Sequence, residues 1–266
     1  MKTALLKLLL ILICTASIYA KEEPIRVAVI GGVVISGMWE KVANAFEERY
    51  GIETELVISG NKKQLNSFVR KKQVDFITMH SSDTISNLVA DGLFEQLTPW
   101  MRNSQMLVGV KNNPADITLR DSLRVALEKI SRTKTPFLIP PSGGTIEVLH
   151  GLKEQYNFNP DITFLKTKRG FLKEVADKGG YTLFGVIPFL MKKHHHPMIT
   201  GYYSEDENLK RPYLACIVEK TKTTKQKFEK AKKLLEFLTS KEVQTLILTH
   251  RLDGFKEYPL FFAIKK

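Results

Sequence analysis

The chain of 266 residues contains only two cysteines, Cys14 and Cys216, and this scarcity excludes a class of folds. Cys14 lies in a segment near the start that we expect to be removed, so Cys216 would remain alone. A small secreted fold stabilised by disulfides is therefore excluded. Cys216 lies in the apolar run LACIV. We expect it to be a small buried hydrophobe, because no base can be argued to stand beside it.

Catalytic, nucleic-acid-binding and metal-binding motifs are also missing from the sequence. It contains no Gly-x-Ser-x-Gly nucleophile elbow, no zinc-finger spacing and no ribonucleoprotein motif, so nothing indicates an enzyme with such a nucleophile or a nucleic-acid-binding module. His194, His195 and His196 are adjacent, but no carboxylate or cysteine stands at ligand spacing beside them. We expect a solvated loop there, with metal binding as the less favoured alternative. We expect no cofactor, no metal and no nucleic-acid partner.

The first twenty residues have the layout of a secretory signal peptide. Two lysines precede or enter the apolar run Leu8–Ile13, and Ala20 stands directly before charged residues. The run is too short to span a bilayer. We therefore expect residues 1–20 to be removed and the mature protein to lie in the periplasm of a Gram-negative bacterium. A lipid anchor at Cys14 is less favoured, because the preceding Ile13 is larger than lipoprotein processing prefers.

Basic residues exceed acidic ones, with 40 Lys and Arg against 28 Asp and Glu and a formal net charge of +12. Many of the lysines are scattered along predicted helices, for example in TKTTKQKFEKAKKLLEFL. Such a distribution is typical of a solvated helix face, and attraction of anions is the secondary interpretation.

Strand-like and helix-like patterns alternate at the start of the predicted mature chain. The β-rich runs Ile25–Ile30, Glu53–Ile58 and Val74–Met79 are separated by residues 37–51 and 61–73, whose apolar residues recur at helical spacing. This order predicts a parallel sheet with right-handed crossovers. Ligands of such sheets bind at the carboxyl ends of the strands.

The remaining sequence predicts a second lobe inserted into the first. MLVGV (Met106–Val110) and YLACIV (Tyr213–Val218) are expected to be the two strands that cross between the lobes. One long amphipathic helix is expected from Lys225 to His250. The predicted fold class is α/β, with two lobes that are each a sheet flanked by helices and with a ligand cleft between them. The predicted boundaries are residues 21–106 and 207–266 for lobe 1 and residues 107–206 for lobe 2.

Glycine and hydroxyl residues cluster at four predicted strand-to-helix junctions. A helix N-terminus offers unpaired N–H groups and a partial positive charge, which suit an anion. Each junction alone is better explained by helix capping or turn formation than by ligand binding. Their expected position on the same side of the cleft favours binding. The residues predicted to contact a ligand are Gly32, Ser36, Ser59, Gly60, Ser81, Ser142, Gly143, Gly144 and Thr145.

Two further side chains near the predicted cleft receive a structural interpretation. His80 ends the third predicted strand, and we favour a hydrogen-bonded structural histidine over a ligand contact. Glu147 lies one turn into a predicted helix, where we expect it to compensate the helix dipole rather than to act as a base.

Five ordered segments match a known pattern of helices, strands and turns. They are GMWEKVANAFEERYGIETELVISG, VDFITMHSSD, MLVGVKNNPADI, KGGYTLFGVIPFL and KAKKLLEFLTSKEVQTLI. This set resembles the extracytoplasmic binding proteins of tungstate importers of the ATP-binding cassette (ABC) class, and the resemblance covers nearly the whole chain from Ile25. It implies the type II periplasmic binding protein fold, a tungstate- or molybdate-like oxyanion or other small anion as solute, and a membrane permease as partner. A monomer without enzymatic activity is expected.

Two ligand loops depart from the pattern of that family. The first loop, rich in threonine and serine in the family, reads GGVVISG here, and Ile139 stands where the family carries an arginine before its Asp-Ser-Gly-Thr loop. Losing that charge-assisted donor would weaken oxyanion binding. The solute could then be another oxyanion, a small organic anion or an uncharged molecule. A scaffold or sensor domain without ligand, and an exported enzyme on the same fold, remain alternatives.

Overall fold

The computed structural model describes residues 23–264 except residues 119, 157, 168 and 204. The predicted signal peptide and Cys14 lie outside the described residues. The first part of the chain alternates strands and helices, as the sequence pattern predicts. Its elements are β1 (Ile25–Ile30), α1 (Gly31–Ile35), α2 (Met38–Tyr50), β2 (Thr54–Gly60), α3 (Lys62–Val69), β3 (Phe76–His80) and α4 (Asp83–Ala90).

The second part continues with a long strand and further α/β units. Its elements are β4 (Phe94–Val110), α5 (Leu123–Thr133), β5 (Phe137–Ile139), α6 (Gly143–Tyr156), β6 (Ile162–Phe164), α7 (Phe171–Asp177), β7 (Tyr181–Gly185), α8 (Val186–Lys192), β8 (Ile199–Tyr203), β9 (Lys210–Val218), α9 (Lys225–Leu238), α10 (Lys241–Thr249) and β10 (Phe261–Ala263). Short 3-10 turns cover Lys193–His195, Glu207–Leu209 and Lys220–Lys222. Within the described residues, every helix is too short or too polar to cross a membrane.

Local sequence explains where the first helices begin and end. In α2 the buried residues Trp39, Val42 and Phe46 recur every three to four positions, and Gly51 ends the helix with a φ of 67°. A left-handed glycine is a common helix stop because it carries no Cβ. Helix α3 begins with a capping box. The side chain of Asn61 accepts from the backbone N–H of Gln64, and the side chain of Gln64 accepts from the backbone N–H of Asn61.

The strands form one mixed sheet with the order β2-β1-β3-β9-β4-β7-β5-β6, and β8 and β10 also pair with β4. Strand β1 is parallel to β2 and β3, which confirms the prediction for the first three strands. Strand β9 is antiparallel to both β3 and β4. The carboxyl ends of β1, β2 and β3 therefore lie on the side of the sheet where β9 begins.

Strand β4 is longer than predicted and joins the two halves of the sheet. It pairs with β9 through Phe94–Ser104 and with β7 and β8 through Gln105–Val110. The prediction covered only its last five residues, because Pro99 and the polar residues before Met106 argue against a central strand. Pro99 is accommodated where the register of β4 against β9 is irregular. Prolines in sheets are confined to such irregular or edge positions. The lobe boundaries stay a prediction.

Two hydrophobic clusters fill the space between the sheet and the helices. The larger contains residues of β1, β3, β9, α2 and α9, and the smaller contains residues of α5, α6, β5 and β7. Trp100 is fully buried, and its indole N–H donates to the Thr78 hydroxyl at 2.8 Å. That hydroxyl donates in turn to the carbonyl of Leu214 at 3.0 Å. These two buried polar groups are thus paired, which removes the destabilisation that unpaired ones would cause.

The single helix predicted from Lys225 to His250 is wrong, because the chain forms two helices. Helix α9 ends at Leu238 and α10 begins at Lys241. The Ser240 hydroxyl accepts from the backbone N–H of Val243 at 3.3 Å and so caps a new helix. Serine at such a position stabilises a helix start more than a continuous helix.

Candidate functional site

The carboxyl ends of β1 and β2 meet the start of β9 at two close approaches. A Cβ added at Gly31 would lie 3.5 Å from the carbonyl oxygen of Gly60, and one added at Gly32 would lie 3.6 Å from the hydroxyl of Tyr213. Because Gly31 and Gly32 carry no Cβ, the backbone of Gly60 and the phenol of Tyr213 can approach them closely. The start of α1, the end of β2 and one residue of β9 therefore lie close together.

The N-terminus of α6 lies against the same part of β9. A Cβ added at Gly144 would overlap Nη1 of Arg211 and would stand 3.0 Å from its Cζ. The carbonyl of Ser142 accepts from the N–H groups of Thr145 and Ile146, both at 3.0 Å. The N–H groups of Gly143 and Gly144 precede these first helical bonds, as at every helix start. Helix α6 thus presents its positive end beside a guanidinium.

Arg211 is the centre of this region. Its side chain is only 8% exposed. Nη2 donates to a carboxylate oxygen of Glu147 at 2.6 Å and to the carbonyl of Ser81 at 3.4 Å. Its Nε is buried and has no hydrogen-bond partner among the residues that the structure describes. Because an arginine has five N–H donors, the protein leaves part of this one unused.

Lys62 provides a second cation next to Arg211. Its ammonium, on the first residue of α3, donates to the same Ser81 carbonyl at 3.3 Å. Burial, and then the charge of Arg211, lowers the pKa of Lys62 to about 8, so it carries a charge at neutral pH. The N–H of Ser81 donates to the carbonyl of Pro212 at 2.9 Å and fixes the loop to β9. Two cations therefore converge on one neutral carbonyl.

His80 and Tyr213 lie next to each other near the two cations. They are paired across β3 and β9, with ring centroids 4.1 Å apart. Burial, followed by the charges of Arg211 and Lys62, lowers the pKa of His80 to about 3, so the ring is neutral. The side chain of Asn103 opposes this shift and raises the pKa of His80, but by less than burial lowers it. These contacts support the structural interpretation of this histidine.

The hydroxyl of Tyr213 is buried without a hydrogen-bond partner in the described part of the chain. Burial also raises the pKa of the Tyr213 phenol, so the O–H keeps its proton. A buried O–H without acceptor is uncommon in a native protein, so this donor is a candidate contact for a bound solute.

We call this region the Arg211 site. Its residues are Gly32, Gly60, Lys62, Ser81, Gly144, Glu147, Arg211 and Tyr213.

The structure brings four of the nine residues proposed from the sequence to this site, and Ser36 is the clearest exception. The segment GGVVI forms helix α1 instead of a loop, and Ser36 follows its end. The Ser36 hydroxyl is buried and donates to the Val33 carbonyl at 3.1 Å, and its own carbonyl lies 2.7 Å from His250 Nε2. Ser36 therefore contacts α1 and the C-terminal segment rather than the Arg211 site.

The other proposed residues differ in how closely they approach the site. Gly32, Gly60, Ser81 and Gly144 belong to it. Ser142, Gly143 and Thr145 lie at the start of α6, and the side chain of Thr145 is only 3% exposed. Ser59 is exposed on β2, where it pairs with Val29.

Sequence reasoning missed Arg211, Lys62 and Tyr213, which carry the chemistry of the site. Ile139 is fully buried in β5, so no donor comes from that position. Arg211 brings a guanidinium to the region from another strand, and the expected weakening of oxyanion binding stays a prediction. The sequence did contain a signal that could have found Arg211 and Tyr213, because Arg211 lies two residues before Tyr213, which begins a predicted strand. In a strand they face the same side, and that side is buried in β9.

Two other candidates in the sequence lie elsewhere. Cys216 is fully buried in β9, and burial raises the pKa of its thiol, which confirms its role as a small hydrophobe. His194 and His195 belong to an exposed 3-10 turn, where His194 packs against the ring of Phe255. Across the described residues, no group of three or more His, Cys, Asp or Glu side chains is arranged to hold a metal ion.

A family model for bacterial extracellular solute-binding proteins matches residues 25–250. The chain belongs to this family. The matched range includes every element that forms the Arg211 site. A search among curated proteins gave no significant match.

Solved structures support the same fold for this solute-binding protein. The tungstate-binding protein TupA from Desulfovibrio alaskensis G20 is 21% identical with a TM-score of 0.76, covering 92% of this chain and all of that one. The tungstate ABC transporter from Geobacter sulfurreducens is 21% identical with a TM-score of 0.65, over 83% and 96% of the two chains. A substrate-binding domain from Clostridium difficile, described as that of a molybdenum ABC transporter, is 14% identical with a TM-score of 0.61, over 91% and 99%. These likenesses establish the type II periplasmic binding protein fold.

Proposed function

We propose that this solute-binding protein captures a small anion outside the cytoplasm and delivers it to the membrane permease of an ABC importer. A tungstate- or molybdate-like oxyanion is one candidate solute, and another small anion is the other. The family, and relatives described as tungstate and molybdenum transport proteins, support this proposal. The family and these relatives are binding proteins rather than enzymes.

The observation that carries the proposal is the buried and incompletely paired Arg211. Its Nε and the Tyr213 hydroxyl are both buried donors without an acceptor within the described residues. An unpaired buried polar group typically destabilises a fold by about 1–3 kcal/mol. An anion that accepts from both groups would remove that cost. Lys62 and the partial positive charge at the N-terminus of α6 would also attract this anion.

The position of Arg211 also suggests how binding is coupled to closure. Through Nη2, Arg211 contacts Ser81, which follows β3, and Glu147, which belongs to α6. Strand β3 and strand β5, which α6 follows, lie on opposite sides of β4 in the sheet. A solute bound by Arg211 would contact both halves only when they are close together. Such differential contacts are what allow a ligand to favour a closed conformation.

Thermal-shift and calorimetric titrations test the proposal with tungstate, molybdate, sulfate, phosphate and small carboxylates. An anion present at 100 times its Kd stabilises the folded state by about 2.7 kcal/mol. We expect at least one anion to raise the melting temperature, and Arg211→Met to abolish that shift. Arg124→Met is the matched control, because Arg124 is 67% exposed and pairs with Glu128 on α5. A flat response to the whole panel would favour a scaffold or sensor domain, and turnover of a ligand would favour an enzyme.

A further inference from the structure

Glu147 places a negative charge inside the proposed anion site. Its carboxylate lies 2.6 Å from Nη2 of Arg211, and the side chain remains 56% exposed. It begins the second turn of α6, only three residues after Gly144, where an added Cβ would overlap the same guanidinium. An anion that reaches Arg211 therefore comes within a few ångströms of a carboxylate. The dipole-compensating role expected from the sequence does not describe this contact.

The charges at the site leave a small positive balance. Arg211 and Lys62 each contribute one positive charge at neutral pH, and Glu147 contributes one negative charge. Asp83, which is exposed and acts on Lys62 from a distance, makes the balance less positive still. A singly charged anion balances the net charge of Arg211, Lys62 and Glu147, whereas a doubly charged one leaves an excess negative charge next to Glu147, to which Asp83 adds. Like charges placed side by side in a binding site are strongly unfavourable.

We propose that Glu147 is a charge-selecting residue, which makes the Arg211 site prefer singly charged anions over doubly charged anions of the same shape. This inference rests on the proposed anion-binding function and narrows its class of solutes. The residue acts in two ways. It occupies one donor of Arg211, which weakens every anion alike, and it repels each further negative charge, which weakens a dianion more.

Perrhenate and tungstate separate these two effects. Both are tetrahedral oxyanions of one metal and four oxygens and have nearly the same size, but perrhenate carries one negative charge and tungstate carries two. The experiment measures Kd for both anions by calorimetry at neutral pH in the wild type, in Glu147→Gln and in Glu154→Gln. Glu154 is an exposed glutamate seven residues further along α6, so it controls for loss of a charge on this helix.

We expect the wild type to bind perrhenate more tightly than tungstate. Glu147→Gln is expected to improve the binding of tungstate at least about tenfold more than that of perrhenate. Glu154→Gln should leave the ratio of the two Kd values unchanged. Glutamine retains the size and one acceptor oxygen of glutamate, so a change in the ratio reports on charge.

Three outcomes would overturn the inference. An unchanged ratio in Glu147→Gln, with both anions still bound, would remove charge selection and leave the anion site intact. Loss of perrhenate binding in that variant would make Glu147 a partner that positions Arg211. Absence of binding by both anions in all three proteins would refute the anion site itself. The first two results contradict only the role of Glu147, and the third also contradicts the proposed function.

Discussion

Gly143→Ala and Gly144→Ala form a matched pair that tests the position of Arg211. Both residues lie in the first turn of α6, and neither has a positive φ. A Cβ at Gly143 would meet nothing within 4 Å, whereas a Cβ at Gly144 would overlap the guanidinium of Arg211. The same methyl group is therefore added to adjacent positions, and only one of them can disturb the site.

The expected magnitudes follow from these surroundings. Gly143→Ala should stabilise the fold by about 0.4–1 kcal/mol, because alanine restricts the unfolded chain. For a chain of this size that corresponds to a rise of roughly 1–4 °C in Tm. In Gly144→Ala the guanidinium must move away from its observed position, so a hydrogen bond from it to a bound anion would lengthen or break. A charge-assisted hydrogen bond contributes about 1.5–3 kcal/mol, so we expect anion affinity to fall by about 10- to 150-fold.

The assay combines calorimetric titration of the best anion from the panel with thermal unfolding of the free protein. Gly143→Ala should keep the wild-type Kd and raise Tm. Gly144→Ala should raise Kd, while Tm changes by only a few degrees, since the atoms that collide are at the flexible end of a side chain. Wild-type affinity in a folded Gly144→Ala protein would refute the placement of the solute at Arg211.

The remaining predictions concern pH, a single hydroxyl and a helix cap. Because the pKa of Lys62 is lowered to about 8, its positive charge is lost as the pH rises from about 7 to about 9. In titrations across pH, anion affinity should fall over that range in the wild type and in the control Lys63→Met. Lys62→Met should bind the anion more weakly, and its affinity should not change with pH. Tyr213→Phe should weaken anion binding while leaving the Tm of the free protein equal or higher, because the hydroxyl has no partner within the described chain; a loss of stability would contradict its unpaired state. Ser240→Ala should cost about 1 kcal/mol in urea unfolding through loss of the cap on Val243, and an unchanged midpoint would contradict the cap.

Much of the first α/β unit could be predicted from local patterns. The alternation of apolar runs with helical spacing placed β1, β2, β3, α2 and α3 within a few residues of their observed bounds. Such patterns suffice because each strand and helix buries a face that its own spacing defines. Glycines and serines at the ends of the strands also indicated the edge of the sheet where the Arg211 site lies.

Longer-range features escaped prediction where a neighbour decides the local structure. The irregular part of β4 is a strand because β9 pairs with it, although Pro99 argues against one. The break before α10 depends on the Ser240 hydroxyl, which accepts from the backbone N–H of Val243. The spacing of apolar residues does not reveal this bond.

For the site, the sequence alone determined that backbone N–H groups and small residues gather at the carboxyl edge of a parallel sheet, because residue spacing dictates which ends of the strands meet there. It did not determine where the positive charge comes from. Arg211 lies far along the chain from Ser81 and Gly144, and the pairing of β9 with β3 and β4 brings the three together. Burial then leaves that guanidinium with unused donors and lowers the pKa of Lys62, and both effects exist only after the chain has folded.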